Sequence, residues 1–200
     1  LGILKTVIVS GNIHYRLGGW APPWGIEYRI DAVNALMALI VAAIAAITLP
    51  YALLSSEREI PGEKIPLFYS AMLLCLTGLL GIVITGDLFN LFVFLEISSL
   101  SSYALISLGR DRRALTAAYQ YLIMGTIGAT FLLIGIGLIY AVTGTLNMLD
   151  LAERLPAVVG QRTVHTALAF IIGSGPQQTM RCGRSVSAST CVRTSVTKPL

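Results

Sequence analysis

The sequence predicts an all-α, polytopic transmembrane helix bundle, on three observations. The 200 residues are 55% hydrophobic and only 12% charged, about half the charge of a soluble domain. Mean hydropathy is +0.77. Four apolar runs reach the roughly 20 residues needed to cross a bilayer, and each is apolar on every face rather than along one stripe.

The elements follow in chain order. Residues 1–10 lack the basic and small-residue features of a cleavable signal, and without a starting Met they read as the end of a helix that starts upstream. Residues 11–29 read as a loop, broken by Gly18, Gly19, Pro22 and Pro23. Trp20, Trp24 and Tyr28 suit the headgroup layer. Spans are expected at about 30–54, 66–84, 88–108 and 114–142. Asp31 opens the first, where a carboxylate favours the positive helix end. The second and third are joined by Thr85-Gly86-Asp87, with Asp87 as N-cap. Residues 143–164 read as a polar connection, and a fifth apolar run extends from His165 to Ile172. Residues 173–200 are rich in Ser, Thr and Arg, contain no acid, and read as a separate disordered tail.

The net charge of +4 does not point to nucleic acid, since the positives sit in short loops and form no basic stripe. They report topology instead. The loops at 55–65 and 109–113 hold Arg58, Lys64, Arg110, Arg112 and Arg113, which makes that side cytoplasmic. Arg16, Arg29, Arg154 and Arg162 are spread over the longer opposite loops. Cys75 lies in an apolar run, and Cys182 and Cys191 lack metal-ligand spacing. No phosphate loop, metal cluster or nucleophile–base pair is discernible, so no cofactor is expected.

Nine of the ten acidic residues lie in loops or at span ends; Glu96 alone lies well inside a span. A carboxyl at that depth costs a few kcal/mol or more to insert, so it faces the bundle interior or water, where it can relay protons. The alternative is a protonated Glu acting as packing glue between helices. Phe92, Ser99 and Tyr103 share its face, with Ser98, Ser101 and Ser102 nearby. These serines, and Gly125, Gly128, Gly135 and Gly137, read as packing residues. Tyr119, Gln120 and Tyr121 read as interfacial anchors, with a relay role as the alternative. His14 and His165 are weak evidence for a switch or a ligand.

Three stretches carry a family resemblance: His14–Asp31 (HYRLGGWAPPWGIEYRID), Thr85–Ser107 (TGDLFNLFVFLEISSLSSYALIS) and Ile139–Leu155 (IYAVTGTLNMLDLAERL). Together they resemble the antiporter-like membrane subunits. These are the D subunit of Mrp-type Na+/H+ antiporters and the M and N subunits of NADH:quinone oxidoreductase, with the D subunits favoured by GDLFNLFVFLE. The resemblance covers about residues 1–172 and implies a partial antiporter-like fold, helices two to seven of the family. It implies a role for Glu96 as proton relay and as charge partner of a Lys in the broken seventh helix. It also implies other membrane subunits as partners, protons and monovalent cations (Na+ favoured) as cargo, and a bacterial inner membrane.

At the expected Lys position stand Gln177 and Gln178, so the segment after Ile172 is expected to reflect a frameshift or a truncated gene. On that expectation the chain is a fragment. Three readings stay open: a cation/proton antiporter subunit, a proton-translocating subunit of an NADH:quinone oxidoreductase-type complex without its own redox site, or a structural subunit or non-functional remnant.

Overall fold

A computed structural model describes residues 2–20, 25–109 and 112–174. The expectations for Pro22, Pro23, Trp24, Arg110, Cys182, Cys191, Gln177, Gln178 and the tail from 175 lie outside the described residues.

Helix α1 covers Gly2–Ser10, and strands β1 (Ile13–Arg16) and β2 (Glu27–Ile30) follow it. The spanning helices are α2 (Ala32–Glu59), α3 (Ile65–Ile84), α4 (Leu88–Ser107) and α5 (Arg112–Thr143). A short α6 (Met148–Val158) follows, and residues 162–174 form α7. Four of these helices are long and apolar enough to cross a membrane, as the hydropathy predicts. α2 runs five residues beyond its expected end and keeps Pro50 inside it, before a 3-10 turn at Gly62–Lys64. α7 continues through 174, two residues past the expected boundary.

Two segments differ from the sequence reading. The expected loop at 11–29 contains an antiparallel pair, with Ile13 opposite Ile30 and Arg16 opposite Glu27. Gly18 and Gly19 adopt φ of 65° and 77°, which lets the chain reverse between the strands. Loop-like composition masks two strands that are each only four residues long. The expected polar connection at 143–164 contains α6. Gly144 at φ 70° closes α5, its N–H bonding Tyr140 O at 2.8 Å, and Asn147 caps the new helix.

α3, α4 and α5 pack in sequence through small residues. A Cβ on Gly78 would lie 2.8 Å from the backbone N of Ser98, and one on Gly81 would meet the Phe94 ring. Ser98, Ser101 and Ser102 donate to carbonyls of their own helix, at Leu95, Ile97 and Ser98. Their hydroxyls are therefore satisfied while the helices stay close. Further along, α5 packs on α7 through Gly135, beside Ala167 O and Ile171, and through Phe131 and Phe170 with ring centroids 5.7 Å apart. Gly125 and Gly128 are buried, as packing residues should be; Gly137 is exposed and meets no neighbour among the described residues.

Gly78→Val is expected to destabilise the α3–α4 pair by about 1–3 kcal/mol, because the added carbons meet rigid backbone. Reversible unfolding in mixed micelles measures it; an unchanged midpoint would refute the close approach.

Candidate functional site

Two places concentrate polar chemistry. The first is Glu96, half-buried in α4. It stands nine residues beyond the N-cap Asp87, about 13 Å along the axis at 1.5 Å per residue, near the middle of the span. The packing of α4 defines its faces. Phe94 and Ser98 meet Gly81 and Gly78 of α3, and Ser102 Oγ lies 3.5 Å from Cys75 Sγ. Tyr103 lies on the other side, its ring 6.3 Å from Tyr121 of α5. Glu96 precedes Tyr103 by seven residues, so it shares the stripe turned toward α5 and away from α3. Antiparallel packing brings that stripe level with the buried Gly125 and Gly128 of α5. Tyr119, by contrast, is exposed.

The second place lies where three connections meet at one end of the bundle. Gly86 N–H donates to Glu27 O at 2.9 Å, Leu88 N–H to Leu146 O at 2.9 Å, and Met148 N–H to Gly86 O at 3.0 Å. These bonds stitch β2, the α3–α4 link and the α5–α6 link together. A side chain at Gly86 would crowd Glu27 O at 3.1 Å, so glycine permits the approach. Asp87 accepts from Asn90 N–H at 2.9 Å and caps α4, as expected from sequence. Asn90 Nδ2 donates to Thr85 Oγ1 at 3.1 Å, satisfying the other side of the link.

Glu27 lies under this stitching, 7% exposed. His14 Nδ1 is 2.8 Å from its Oε1, and Asn147 Nδ2 donates to its Oε2 at 3.2 Å. The strand register explains the first contact. His14 is opposite Arg29, so it shares a face with Glu27 and reaches it diagonally. Asn147 uses both ends of its amide. Its oxygen accepts from Leu149 and Asp150 N–H at the start of α6, while its nitrogen holds Glu27. An open cleft of about 550 Å³ lies beside the cluster, lined also by Arg16, Asp150, Glu153 and Arg154. Arg154 donates to Asp150 Oδ2 at 3.1 Å and to Thr143 O at 3.3 Å, tying α6 to the end of α5. From sequence, Glu27 reads only as one of the loop acids and His14 as a weak candidate. Alternation along the His14–Arg16 and Glu27–Arg29 segments is the available signal, hidden by the Gly- and Pro-rich stretch between them. His165 bonds Gln161 O, just before the start of α7, and joins no cluster among the described residues.

Residues 85–175 match the family described as NADH:quinone oxidoreductase/Mrp antiporter, TM. Over this stretch the chain resembles the antiporter-like membrane subunits that the family describes. The match opens at Thr85 and so takes in the α3–α4 link, α4 with Glu96, α5 and α6. Among relatives, the N subunit of NADH-quinone oxidoreductase from Desulforudis audaxviator is 45% identical over 86% of this chain and 34% of its own length. The D subunit of the Na(+)/H(+) antiporter from Bacillus subtilis is 35% identical over 86% of this chain and 33% of its own length. A chain of the archaeal membrane-bound sulfane sulfur reductase, a respiratory membrane complex, superposes with a TM-score of 0.76 at 37% identity, covering 86% of this antiporter-like chain and 35% of its own. The antiporter-like chain thus spans about a third of the length of the relatives it matches. It is a multi-pass membrane protein of the type found in multisubunit membrane complexes.

Burial raises the Asp87 carboxyl above its ordinary 3.8, against the lowering pull of the Asn90 and Phe89 N–H groups. The folded state therefore holds a proton that the unfolded state releases. The resulting stability is fully present below the unfolded value and is lost as pH rises through the folded one. Asp87→Asn keeps the cap and should flatten this part of the stability–pH curve, while Asp87→Ala should cost about 1 kcal/mol at any pH. Unfolding midpoints between pH 3.5 and 7 check both; parallel curves for wild type and Asp87→Asn would exclude Asp87 as the titrating group.

Proposed function

We propose that the chain is part of a multisubunit monovalent cation/proton antiporter of a bacterial inner membrane and moves protons through Glu96. The observation that carries this reading is the place of Glu96, a carboxylic acid half-buried at mid-span on the stripe turned toward α5. A charged group at that depth is retained against a cost of a few kcal/mol, which favours an ion path over packing. The small residues facing it leave room for a neighbouring polar group or for water. Protons and Na+ are the proposed cargo, and other membrane subunits the partners. Residues 1–172 form the antiporter-type portion in this reading, and residues 173–200 a separate segment.

A second reading has its own support. The relative named as the N subunit of NADH-quinone oxidoreductase is 45% identical, against 35% for the D subunit of the Bacillus subtilis antiporter. On that reading the same Glu96 relays protons in a complex whose ion movement depends on electron transfer.

In sealed vesicles carrying the whole complex, Glu96→Gln is expected to reduce proton movement at least a hundredfold, the loss typical of a missing acid–base group, with complex assembly intact. A packing role predicts near-normal transport by the isosteric Gln. Driving the vesicles with an imposed Na+ gradient or with an electron donor separates the two readings, because only the antiporter responds to the gradient alone.

A further inference from the structure

Glu27 is the most deeply buried carboxylate in the cleft, and its hydrogen bonds join segments 120 residues apart. We propose that His14 and Glu27 form a proton-binding site outside the spanning helices, whose occupancy sets how firmly the hairpin is held to the α3–α4 and α5–α6 connections.

The argument is one of charge balance at the mouth of the cleft, where Glu27 is buried and the His14 side chain is 44% exposed. Glu27 accepts from Asn147, which is neutral, and touches His14, the one partner that can supply a positive charge. The other cations near the cleft are committed elsewhere, apart from Arg16. Arg154 is engaged by Asp150 and Thr143 O, and Arg29 by Asp31 at 3.1 Å. Arg16 lies opposite Glu27 in the register but is exposed, and it forms no ion pair among the described residues. Glu153 on the cleft rim adds a further negative charge. On the α3–α4 link, Asp87 pairs with Asn147 through the backbone and is spent on capping α4.

With His14 protonated, the three cleft carboxylates meet three cations. With His14 neutral, a buried carboxylate keeps two neutral hydrogen bonds and loses its counter-charge. The imidazole Nδ1–H can still donate, so the tie weakens rather than breaks, since charge-assisted bonds are about twice as strong as neutral ones. Histidine is the side chain that in general exchanges a proton between pH 5 and 8, which sets the pH values at which the site is tested. Asn147 fits this role better than Asp would. Either residue caps α6, but only the amide also donates to Glu27. Glu27 is in turn linked to the stitching, because its own carbonyl accepts the Gly86 N–H.

This site stands on loop geometry and does not rest on the Glu96 reading. The test is hydrogen–deuterium exchange on the full chain in phosphatidylcholine nanodiscs at pH 5.5 and 8.0, corrected for intrinsic exchange. The amides to follow are Gly86, Leu88 and Met148. Protection is expected to be about threefold greater at pH 5.5, the factor for an ion pair with one solvent-exposed partner. His14→Gln and Glu27→Gln should remove the difference, whereas Glu153→Gln, Asp87→Asn and Glu96→Gln should leave it in place. Equal wild-type protection at the two pH values would overturn the proposal even if both site variants failed to fold. So would an unchanged pH difference in His14→Gln, or its loss in Asp87→Asn.

Discussion

Backbone at the end of a membrane span must find hydrogen-bond partners, and here three connections find them in one another. The α3–α4 link is too short to fold back on itself. Its Gly86 instead donates to β2 and accepts from the first residue of α6, while Leu88 reaches Leu146. This mutual pairing sets the height of α4 in the bundle, the direction in which α6 leaves α5, and the place where the hairpin docks. A residue larger than Gly at 86 would push β2 away, because Glu27 O lies against the space its side chain would need.

Two kinds of polar group result, with different surroundings. Glu96 belongs to the helices, and its orientation follows from α3 taking up the Gly78/Ser98 side of α4. Glu27 belongs to the connections, and its burial follows from strand register and from an asparagine that serves two partners. A register slip of one residue would turn His14 and Glu27 to opposite faces and dismantle the cluster. Each carboxylate is thus placed by contacts that lie outside its own segment.

The hydroxyl groups along α4 illustrate how polar composition can mislead. Ser98, Ser101 and Ser102 bond carbonyls of their own helix. They act as small residues that let α3 approach, which matches the packing role expected of them, and Gly135 does the same between α5 and α7. Gly137, expected to behave alike, meets no neighbour among the described residues because two residues along a helix turn the face by about 200°.

The sequence by itself determined the number and approximate limits of the spanning helices, the cap at Asp87 and the singularity of Glu96. All of these depend on local apolar length and on single residues at helix ends. Only the tertiary structure decided that residues 13–16 and 27–30 pair as strands, that α6 forms within the polar connection, and that His14, Glu27 and Asn147 converge. Those outcomes rest on hydrogen bonds between segments far apart in the chain, and neither hydropathy nor helical period reports on which distant backbone a short polar segment will meet.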